Sequence, residues 1–540
     1  MVQYMDKNSG FNMWNANKNS TQKKSPFSGF LWWTLIFIAA WWMVGVFMSP
    51  QQTTPANDAV TNVVDLSAVP VTNVSSDKIT ATVQGLRISD VNLADYTVAS
   101  DASENVVLLG SDDNFIEVGL LSTGTTAPVA TTIWKQNDNT YTWRNSDGVE
   151  FTRTFTPDGY TITITDTITN KSGRDVAFAP YARVVRDNDM KSASGVTNGA
   201  VAYINSDVED VVWQKLDKKS YAYSTTNGFA GFADQYWETI VSIDAPDQTI
   251  RMKKVGDKYT TDTAAGAVAV ANGATATITT NVFTGPRDQS VLDAVESKIP
   301  GIAETIDYGW FWFLARPMLW VLNGIHHVVM NYGVAIIIMT ILLRLLMWPL
   351  TRKSYVSMAA MQKMQPEMQR IQKLYANDKM RLQMEMMKLY QTHKTSPMSG
   401  CLPMLIQIPI FFALYKALLV SVQMRNAHFL WISDLSAMDP YFILPILMGA
   451  TMYLQQRLQS PRNANTSGND VAAQTQRMMR WMPILFTIMF AWMPAGLVLY
   501  WTISNIFGII QMQIIKKQTK KHPLSRKYDV KEGFILHIPS

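Results

Sequence analysis

The sequence predicts a multi-domain membrane protein: a six-span α-helical bundle with a five-helix core, plus a periplasmic antiparallel β-sandwich. The 540 residues are 47% hydrophobic and only 16% charged, and they include 17 Trp and 31 Met. Mean hydropathy is nevertheless near zero. Long apolar runs must therefore be balanced by a sizeable polar domain. A single cysteine excludes an intramolecular disulfide framework and a cysteine-cluster metal site.

The N-terminal part predicts a membrane anchor. The first apolar run, residues 30–48, follows a basic extension at residues 1–29, which we expect to stay in the cytoplasm. A cleaved signal peptide is the alternative. The run is long enough to span, contains four tryptophans and lacks a small-residue cleavage site, so we favour an uncleaved anchor. A linker at residues 49–65 follows.

Residues 66–286 contain no spanning run and predict the β-sandwich. Hydrophobic side chains alternate with Thr in several runs, and Ile162, Ile164 and Ile168 share one face of the longest. Asp-Gly pairs between the runs favour tight turns. In residues 287–327, the partly amphipathic stretch 291–306 predicts a helix along the membrane surface.

Five further apolar runs predict the remaining spans, at residues 328–350, 401–422, 441–454, 481–493 and 496–515. Along the chain, connections rich in Lys and Arg alternate with connections that are not. Lys and Arg concentrate in a helical hairpin at 351–400, a loop at 455–480 and a tail at 516–540, which predicts cytoplasmic segments and two cytoplasmic termini. The runs at residues 441–454 and 481–493 are shorter than the usual ~17 residues, so we expect a shortened hydrophobic barrier there.

Arg344 is the most informative charge in these runs. It precedes Leu350 by six residues, or roughly 9 Å along a helix. A guanidinium at such a depth costs at least about 2.5–3.5 kcal/mol. Either it snorkels to the cytoplasmic surface, or it faces a water-filled recess lined by Thr340, Gln407, Ser504 and Asn505. Lys416, near the opposite surface, is predicted to snorkel.

The cytoplasmic segment 355–392 has helical periodicity with a break at residues 376–378. Methionines recur every three or four residues before the break. Two helices could pack these faces together as an antiparallel hairpin. The alternative is an adaptable methionine surface that receives apolar substrate helices, formed by Met361, Met364 and Met368.

Five motifs in the second half resemble those of the YidC membrane protein insertase family. They are YGWFWFLARP from Tyr308, WPLTR from Trp348, SPMSGCLP from Ser396, DLSAMDPYFILP from Asp434 and PAGLVLYWTISN from Pro494. Together they cover about residues 306–515. The Thr-rich strands and the FTGP motif from Phe283 are similar to the large periplasmic insert of Gram-negative members.

The resemblance implies a multi-pass bacterial inner-membrane insertase and chaperone, which integrates membrane proteins alone or with the Sec translocon. Nascent membrane proteins are the implied substrates, and lipids, the signal recognition particle receptor and the ribosome are further implied partners. The implied groove, open to cytoplasm and lipid, contains Arg344, Thr340, Gln407, Tyr500, Trp501, Ser504 and Asn505. Substrates would leave along the third and fifth spans, past Pro409, Phe411, Phe486 and Phe490. Trp501 stands where a second tyrosine is expected.

The sequence predicts neither an enzyme, a cofactor, a metal site nor sequence-specific nucleic-acid binding. Two other functions stay open. A secondary transporter or channel would also need polar residues in its spans, but the runs contain no acidic coupling residue and no internal repeat. The second open function is that of a periplasmic sugar-binding membrane protein. All six histidines lie outside the β region, which excludes histidine-based catalysis there.

Overall fold

The computed structural model describes residues 64–99, 103–110, 113–187, 198–393, 402–459 and 471–521. The predicted extension 1–29, the anchor 30–48 and most of the tail 516–540 lie outside these residues. The chain divides into two compact units, Met1–Gln51 with Asn463–Met482, and Gln52–Arg462 with Pro483–Ser540. Within the first unit only the helical residues 471–482 are described. All contacts given below are internal to the second unit.

Nineteen strands form the β domain in the described part of the chain. In chain order they are β1 Val71–Ser75, β2 Ile79–Gln84, β3 Arg87–Thr97, β4 Asn105–Leu108, β5 Phe115–Thr123, β6 Lys135–Asn137, β7 Thr140–Arg144, β8 Val149–Asp158, β9 Thr161–Asn170, β10 Val176–Arg186, β11 Gly199–Ile204, β12 Asp207–Val212, β13 Tyr221–Thr225, β14 Gly228–Ala233, β15 Trp237–Ile243, β16 Gln248–Val255, β17 Lys258–Ala264, β18 Val268–Val270 and β19 Thr275–Pro286. A single helical turn, α1 Trp213–Leu216, lies between β12 and β13.

The strands form two antiparallel sheets, as the alternation predicts. The first has the order β1-β2-β3-β5-β10-β17-β16-β13, with β4 paired to β3 and β18 paired to β10. The second has the order β12-β11-β14-β15-β19-β9-β8-β7-β6. Strands β10, β16 and β17 of the first sheet contact β14 and β15 of the second. The apolar faces of the two sheets therefore meet in a common core.

The hairpin β8–β9 shows how the period-2 pattern produces this core. Ile162, Ile164 and Ile168 all point inward and are buried. Asp166 occupies the inward position between the last two. Its carboxylate is paired across the hairpin with Arg153, whose Nε and Nη2 lie 2.7 and 2.8 Å from the two carboxylate oxygens. The core of this hairpin therefore contains a buried, bidentate ion pair.

A second buried carboxylate, Glu238 at the start of β15, is fully enclosed. Its Oε2 atom lies 3.4 Å from Nε of Arg287, at the end of the β domain. Burial raises the pKa of Glu238 to about 7, even though Arg287 acts in the opposite direction. The folded protein consequently holds a proton on Glu238 more tightly than the unfolded chain does.

This shift predicts a pH-dependent stability. The contribution of Glu238 is complete below its unfolded pKa of 4.5 and declines as the pH rises towards 7, by up to about 3 kcal/mol. Thermal unfolding of the β-sheets, followed by circular dichroism in detergent, should show this decline in the wild type. Glu238→Gln should flatten that part of the profile. An unchanged slope in the variant would contradict the assignment.

The stretch after the β domain, for which the sequence predicts a helix along the membrane surface at residues 291–306, is packed against the protein on its apolar side. It forms a short helix, α2 Gln289–Val295, and a 3₁₀ turn, Ile302–Thr305. Leu292, Ile299 and Ile302 on its apolar side are fully buried in the protein. An amphipathic pattern does not distinguish a protein core from a lipid surface as the partner of its apolar face, and the location of this stretch at the membrane surface stays a prediction.

The rest of the described chain is helical. The helices are α3 Trp312–Val329, α4 Tyr332–Leu346, α5 Trp348–Leu374, α6 Lys379–Thr392, α7 Leu402–Val420, α8 Ile443–Gln459, α9 Val471–Phe490 and α10 Ala495–Lys521. Helices α5 and α6 are separated at the residues 376–378 where the sequence predicts a break. Helices α8 and α9 continue beyond their short apolar runs into polar sequence, so only the apolar part of each is short.

The second predicted span, residues 328–350, is not one helix. The axes of α4 and the first turns of α5 differ by 62°. Pro349, in the first turn of α5, explains the break, because it has no N–H to donate and its ring would clash with the carbonyl of Leu345. Arg344 consequently lies in the last turn of α4, where a cation complements the helix dipole.

Few of the described helices are both long and apolar enough to cross a membrane. Among the described helices, Ala495–Gln518 alone is long and apolar enough to cross a membrane, and the bent α4–α5 pair adds a second if it forms one span. Leu405–Val420 and Trp481–Phe490 are apolar but shorter. Large apolar side chains such as Ile446, Ile484 and Ile488 are nonetheless exposed on the helices, as expected for surfaces that face lipid.

Polar contacts join the β domain to the end of α7 and to the segment that follows it. Arg425 donates from Nη1 and Nη2 to the carbonyls of Thr97 and Val98, at 2.7 and 2.6 Å. Gln235 donates to the carbonyl of Leu419 at 3.0 Å. These bonds anchor the edge of the β domain to the helical part.

Lys416 on α7, which the sequence predicts to snorkel, forms an ion pair with a residue outside the apolar runs. Its Nζ lies 2.6 Å from Oδ2 of Asp307, in the segment between the 3₁₀ turn and α3. Burial of Asp307 raises its pKa, but the charge of Lys416 outweighs this and the net shift is downward. The acidic partner lies outside every apolar run, and for this reason the sequence does not reveal the pair.

Candidate functional site

Arg344 and one face of α10 form the centre of a polar cluster within the helical domain. The Nε atom of Arg344 donates to Oγ of Ser504 at 2.8 Å, and Nη2 contacts the same hydroxyl. Ser504 is buried, whereas Arg344 is half-buried. No carboxylate in the described residues pairs with Arg344. The positive charge of Arg344 is therefore stabilised by neutral hydrogen-bond partners such as Ser504 and by the dipole of α4. The exposed side of the guanidinium remains open to further polar or anionic groups.

The spacing of α10 explains why these groups meet. Tyr500, Ser504, Gly508 and Gln511 are three or four residues apart and so share one helix face. A Cβ atom on Gly508 would lie 4.0 Å from Nη1 of Arg344. Gln511 is fully buried and donates from Nε2 to the carbonyl of Arg344 at 3.2 Å. This carbonyl is one of the last of α4, where backbone acceptors lack helical partners.

Gln407 on α7 extends the cluster to a second helix. Its amide Nε2 donates to the hydroxyl of Tyr500, which is itself buried. The half-buried Pro409 follows on the same helix and removes one backbone donor from its interior. Helices α4, α7 and α10 thus each contribute a polar side chain of the predicted groove.

Two predicted groove residues are placed elsewhere. Thr340 is completely buried, and its hydroxyl donates to the carbonyl of Ile336 at 2.6 Å within its own helix. Asn505 is turned towards α8, where its amide lies 3.3 Å from Oγ1 of Thr451. Neither side chain contacts Arg344 in the structure. Neighbouring helical positions point about 100° apart, so Ser504 and Asn505 cannot face the same partner.

Trp501 joins an aromatic cluster rather than the polar one. Its ring centroid lies 5.1 Å from that of Phe411 on α7 and 5.2 Å from that of Phe490 on α9. Phe486 stacks on Phe490 at 5.8 Å. The three phenylalanines predicted along the exit path are therefore brought together, and Trp501 is added to them.

The methionines of the α5–α6 hairpin are divided between core and surface. Met364 is buried, and Met361 and Met368 are half-buried. The exposed methionines are instead Met380, Met384 and Met387 on α6, at 76%, 55% and 60% exposure. Their spacing of four and three residues places them on one face of α6. The open methionine surface of this hairpin is therefore on α6 and not at the predicted positions.

The polar cluster can hold and orient an anionic or polar group. Among the described residues, no three or more His, Cys, Asp or Glu side chains are arranged to hold a metal ion. Arg344 is the strongest donor in the cluster, with up to five N–H groups. A group that reaches its exposed side would meet a fixed positive charge beside the hydroxyls of Ser504 and Tyr500.

Sequence comparisons identify the family of both domains. Residues 324–522 match the family model described as 60Kd inner membrane protein, and residues 71–321 match the model of the YidC periplasmic domain. The chain belongs to the YidC membrane protein insertase family. Its β region is the counterpart of the YidC periplasmic domain, and its helical region is the counterpart of the inner-membrane part.

Individual YidC proteins match over most of the chain. The membrane protein insertase YidC of Beijerinckia indica is 35% identical over 500 residues, covering 81% of this chain and 80% of that protein. The YidC insertase of Magnetococcus marinus is 38% identical over 398 residues, covering 71% and 69%. A crystal structure of an active YidC insertase covers 83% of this chain and 95% of its own, at 18% identity and a TM-score of 0.35.

Sequence reasoning missed two members of the cluster in this YidC chain. Gly508 and Gln511 continue the face of α10 that begins with Tyr500 and Ser504. The signal was a stripe of small and polar residues at helical spacing within an apolar run, which is typical of a close or polar helix contact. Both residues lie within two turns of Ser504 on this face.

Proposed function

We propose that this chain integrates nascent membrane proteins into the inner membrane through the polar cluster around Arg344. The supporting observation is the half-buried guanidinium of Arg344, bonded to Ser504 and facing no described carboxylate. A charge that is held in place without a counter-charge is well suited to attract an acidic or polar segment. Gln407 and Tyr500 would line the same path.

The mechanism is physical rather than covalent. The short polar tail of a substrate enters the cluster from the cytoplasm, and its acidic groups are stabilised by Arg344 instead of crossing bare hydrocarbon. An inside-negative membrane potential favours outward movement of each acidic charge by about 2.3 kcal/mol per 100 mV for a full crossing. The proposal requires water to reach the exposed side of the guanidinium.

The hydrophobic segment of the substrate then leaves sideways into lipid. The aromatic cluster of Phe411, Phe486 and Phe490 with Trp501 lies between α7 and α9, next to the Gln407–Tyr500 contact. Aromatic rings offer a large, rigid apolar surface for a passing helix. The exposed methionines of α6 offer an adaptable first contact on the cytoplasmic side.

The proposed topology follows the sequence prediction of six spans with both termini in the cytoplasm. The anchor at residues 30–48, which is outside the described residues, supplies the first span. The bent α4–α5 pair, α7, α8, α9 and α10 supply the others. Cooperation with the Sec translocon, the signal recognition particle receptor and the ribosome is part of the same proposal, resting on family membership alone.

Reconstitution tests the function directly. We expect the purified chain in liposomes to insert a small two-span substrate with an acidic external tail, and the tail to become resistant to external protease. Empty liposomes provide the baseline. A photo-crosslinker at Gln407 should capture a stalled substrate, whereas one at Lys258 in the β domain should not. Failure of both insertion and crosslinking would refute the proposal.

A transporter or channel is the competing function. The same liposomes distinguish the two, because an insertase should protect substrate tails without releasing an entrapped small solute. Solute release without tail protection would favour the channel. The described helices contain no acidic residue near Arg344 that could couple ion or proton movement, and this absence supports insertion over transport.

A further inference from the structure

Helix α3 exposes an apolar stripe that no part of the described chain covers. Phe313, Pro317, Trp320, Gly324 and Val328 follow one another at spacings of three and four residues, and all are exposed. Trp320 is 79% exposed. Large exposed tryptophans are typical of the membrane–water interface, where one edge of the ring is apolar and the other is wet.

A cleft of 560 Å³ opens beside this stripe, between α2 and α3. Pro317 and Trp320 belong to both the cleft and the stripe, so the cleft is continuous with the exposed apolar surface. Its other wall is polar and includes Asp288, Asp293 and Tyr308. A volume of this size is in the range of small-molecule binding sites.

Arg316 supplies the positive charge of the cleft. Its Nε atom is buried and donates to no hydrogen-bond partner among the described residues. Its Nη2 atom makes only a long contact of 3.5 Å with the carbonyl of Ala303, and the guanidinium stacks 5.5 Å above the ring of Tyr308. The guanidinium therefore has unused donors in a setting shielded from bulk water, where an unmade hydrogen bond is costly.

The negative charges lie on the α2 side of the same cleft. Asp288 is already engaged, since it caps α2 and accepts a hydrogen bond from Gln423. Asp293 is exposed, and one of its oxygens accepts from Gln289 at 2.7 Å. Burial raises the pKa of Tyr308 to about 12, with Arg316 lowering it and the two aspartates raising it, so all three charges act on one phenol.

We propose that this cleft binds the headgroup of a zwitterionic phospholipid with a primary ammonium group. Arg316 would hold the phosphate and Asp293 the ammonium, while Trp320 and Pro317 contact the glycerol and the start of the acyl chains. A guanidinium is the preferred donor to phosphate oxygens. An ammonium has three donors, which suits a wall of carboxylate and amide oxygens.

The charge balance selects this headgroup over an anionic one. The cleft has two carboxylates and one guanidinium, so a headgroup with only a phosphate would satisfy Arg316 but would lie beside Asp293 without a cation between them. Lipid binding at this cleft would be a function in addition to membrane protein insertion. It would attach the junction between the β domain and α3 to the outer surface of the bilayer.

Lipid crosslinking tests the site in the full chain. The protein is placed in phosphatidylcholine nanodiscs that contain a small fraction of diazirine-bearing phosphatidylethanolamine or, in parallel, phosphatidylglycerol with the same diazirine. Labelling of the α3 peptide with Leu319 and Trp320 is divided by labelling of the lipid-facing α9 peptide with Ile484 and Ile488. For the wild type, we expect this ratio to be about 5-fold higher with phosphatidylethanolamine.

Three variants complete the test. Arg316→Gln should lower the α3 ratio to the level seen with phosphatidylglycerol, and Asp293→Asn, at an exposed position, should abolish the preference between the two lipids. Arg352→Gln, at an exposed arginine distant in sequence, should leave both ratios unchanged. Equal labelling by the two lipids in the wild type, or an undiminished preference in Arg316→Gln, would overturn the proposal.

Discussion

Replacing Arg344 by alanine is expected to slow insertion of a substrate with an acidic external tail by about 10-fold, which corresponds to a loss of about 1.4 kcal/mol of charge attraction. A neutral tail of the same length should be slowed by less than about 2-fold, because it gains little from the charge. Protease protection of the tail in reconstituted liposomes measures both rates. The decisive quantity is the ratio of the insertion rates of the acidic-tailed and the neutral-tailed substrate.

Two matched variants separate charge from folding. Arg344→Lys keeps the positive charge and should retain most of the preference for acidic tails, although the bond to Ser504 is altered. Arg352→Ala removes an exposed arginine two turns later and should leave the preference intact. If Arg344→Ala slowed both tails equally, or neither, the attraction of acidic tails to Arg344 would be disproved.

The second large effect concerns the β domain. Asp166→Ala should destabilise it by about 3–5 kcal/mol, since the guanidinium of Arg153 would be left buried without its counter-charge. Arg153 is 2% exposed and also donates to the carbonyl of Val118 at 2.9 Å. Thermal or denaturant unfolding, followed by circular dichroism of the β-sheets, measures the change.

The same hairpin offers a control for this prediction. Glu150 on β8 pairs with Lys171 just beyond β9, but both are well exposed and 3.4 Å apart. Glu150→Ala should therefore cost no more than about 1 kcal/mol. The double variant Arg153→Met, Asp166→Leu should recover much of the loss by replacing the ion pair with apolar packing. Equal destabilisation by Asp166→Ala and Glu150→Ala would contradict the argument.

The polar cluster was partly predictable from the sequence. Arg344 stands out because a charge in an apolar run must be explained, and Ser504 and Gln407 stand out as polar side chains in such runs. Their contacts and the orientation of Tyr500 were not predictable, because they depend on how α4, α7 and α10 are rotated against one another. Trp501 and Asn505 show the consequence, since each is adjacent to a cluster residue yet faces another partner.

The β domain shows a similar division. Alternation identified Ile162, Ile164 and Ile168 as inward-facing, and the two antiparallel sheets confirm it. The same alternation places Asp166 inward, but only the pairing of β8 with β9 reveals that Arg153 lies opposite it. Local periodicity specifies which face a residue occupies, whereas a neighbour from another strand depends on register.

The sequence by itself determined the two-part architecture, the family and the depth of Arg344 in its apolar run. These follow from hydrophobic periodicity, charge distribution and motif spacing, all of which are local properties of the chain. Only the tertiary structure decided which surfaces are covered. It buried the amphipathic stretch 291–306 and Met364, exposed the stripe on α3, and paired Lys416 with Asp307. Coverage depends on segments distant in sequence, and a local pattern does not contain that information.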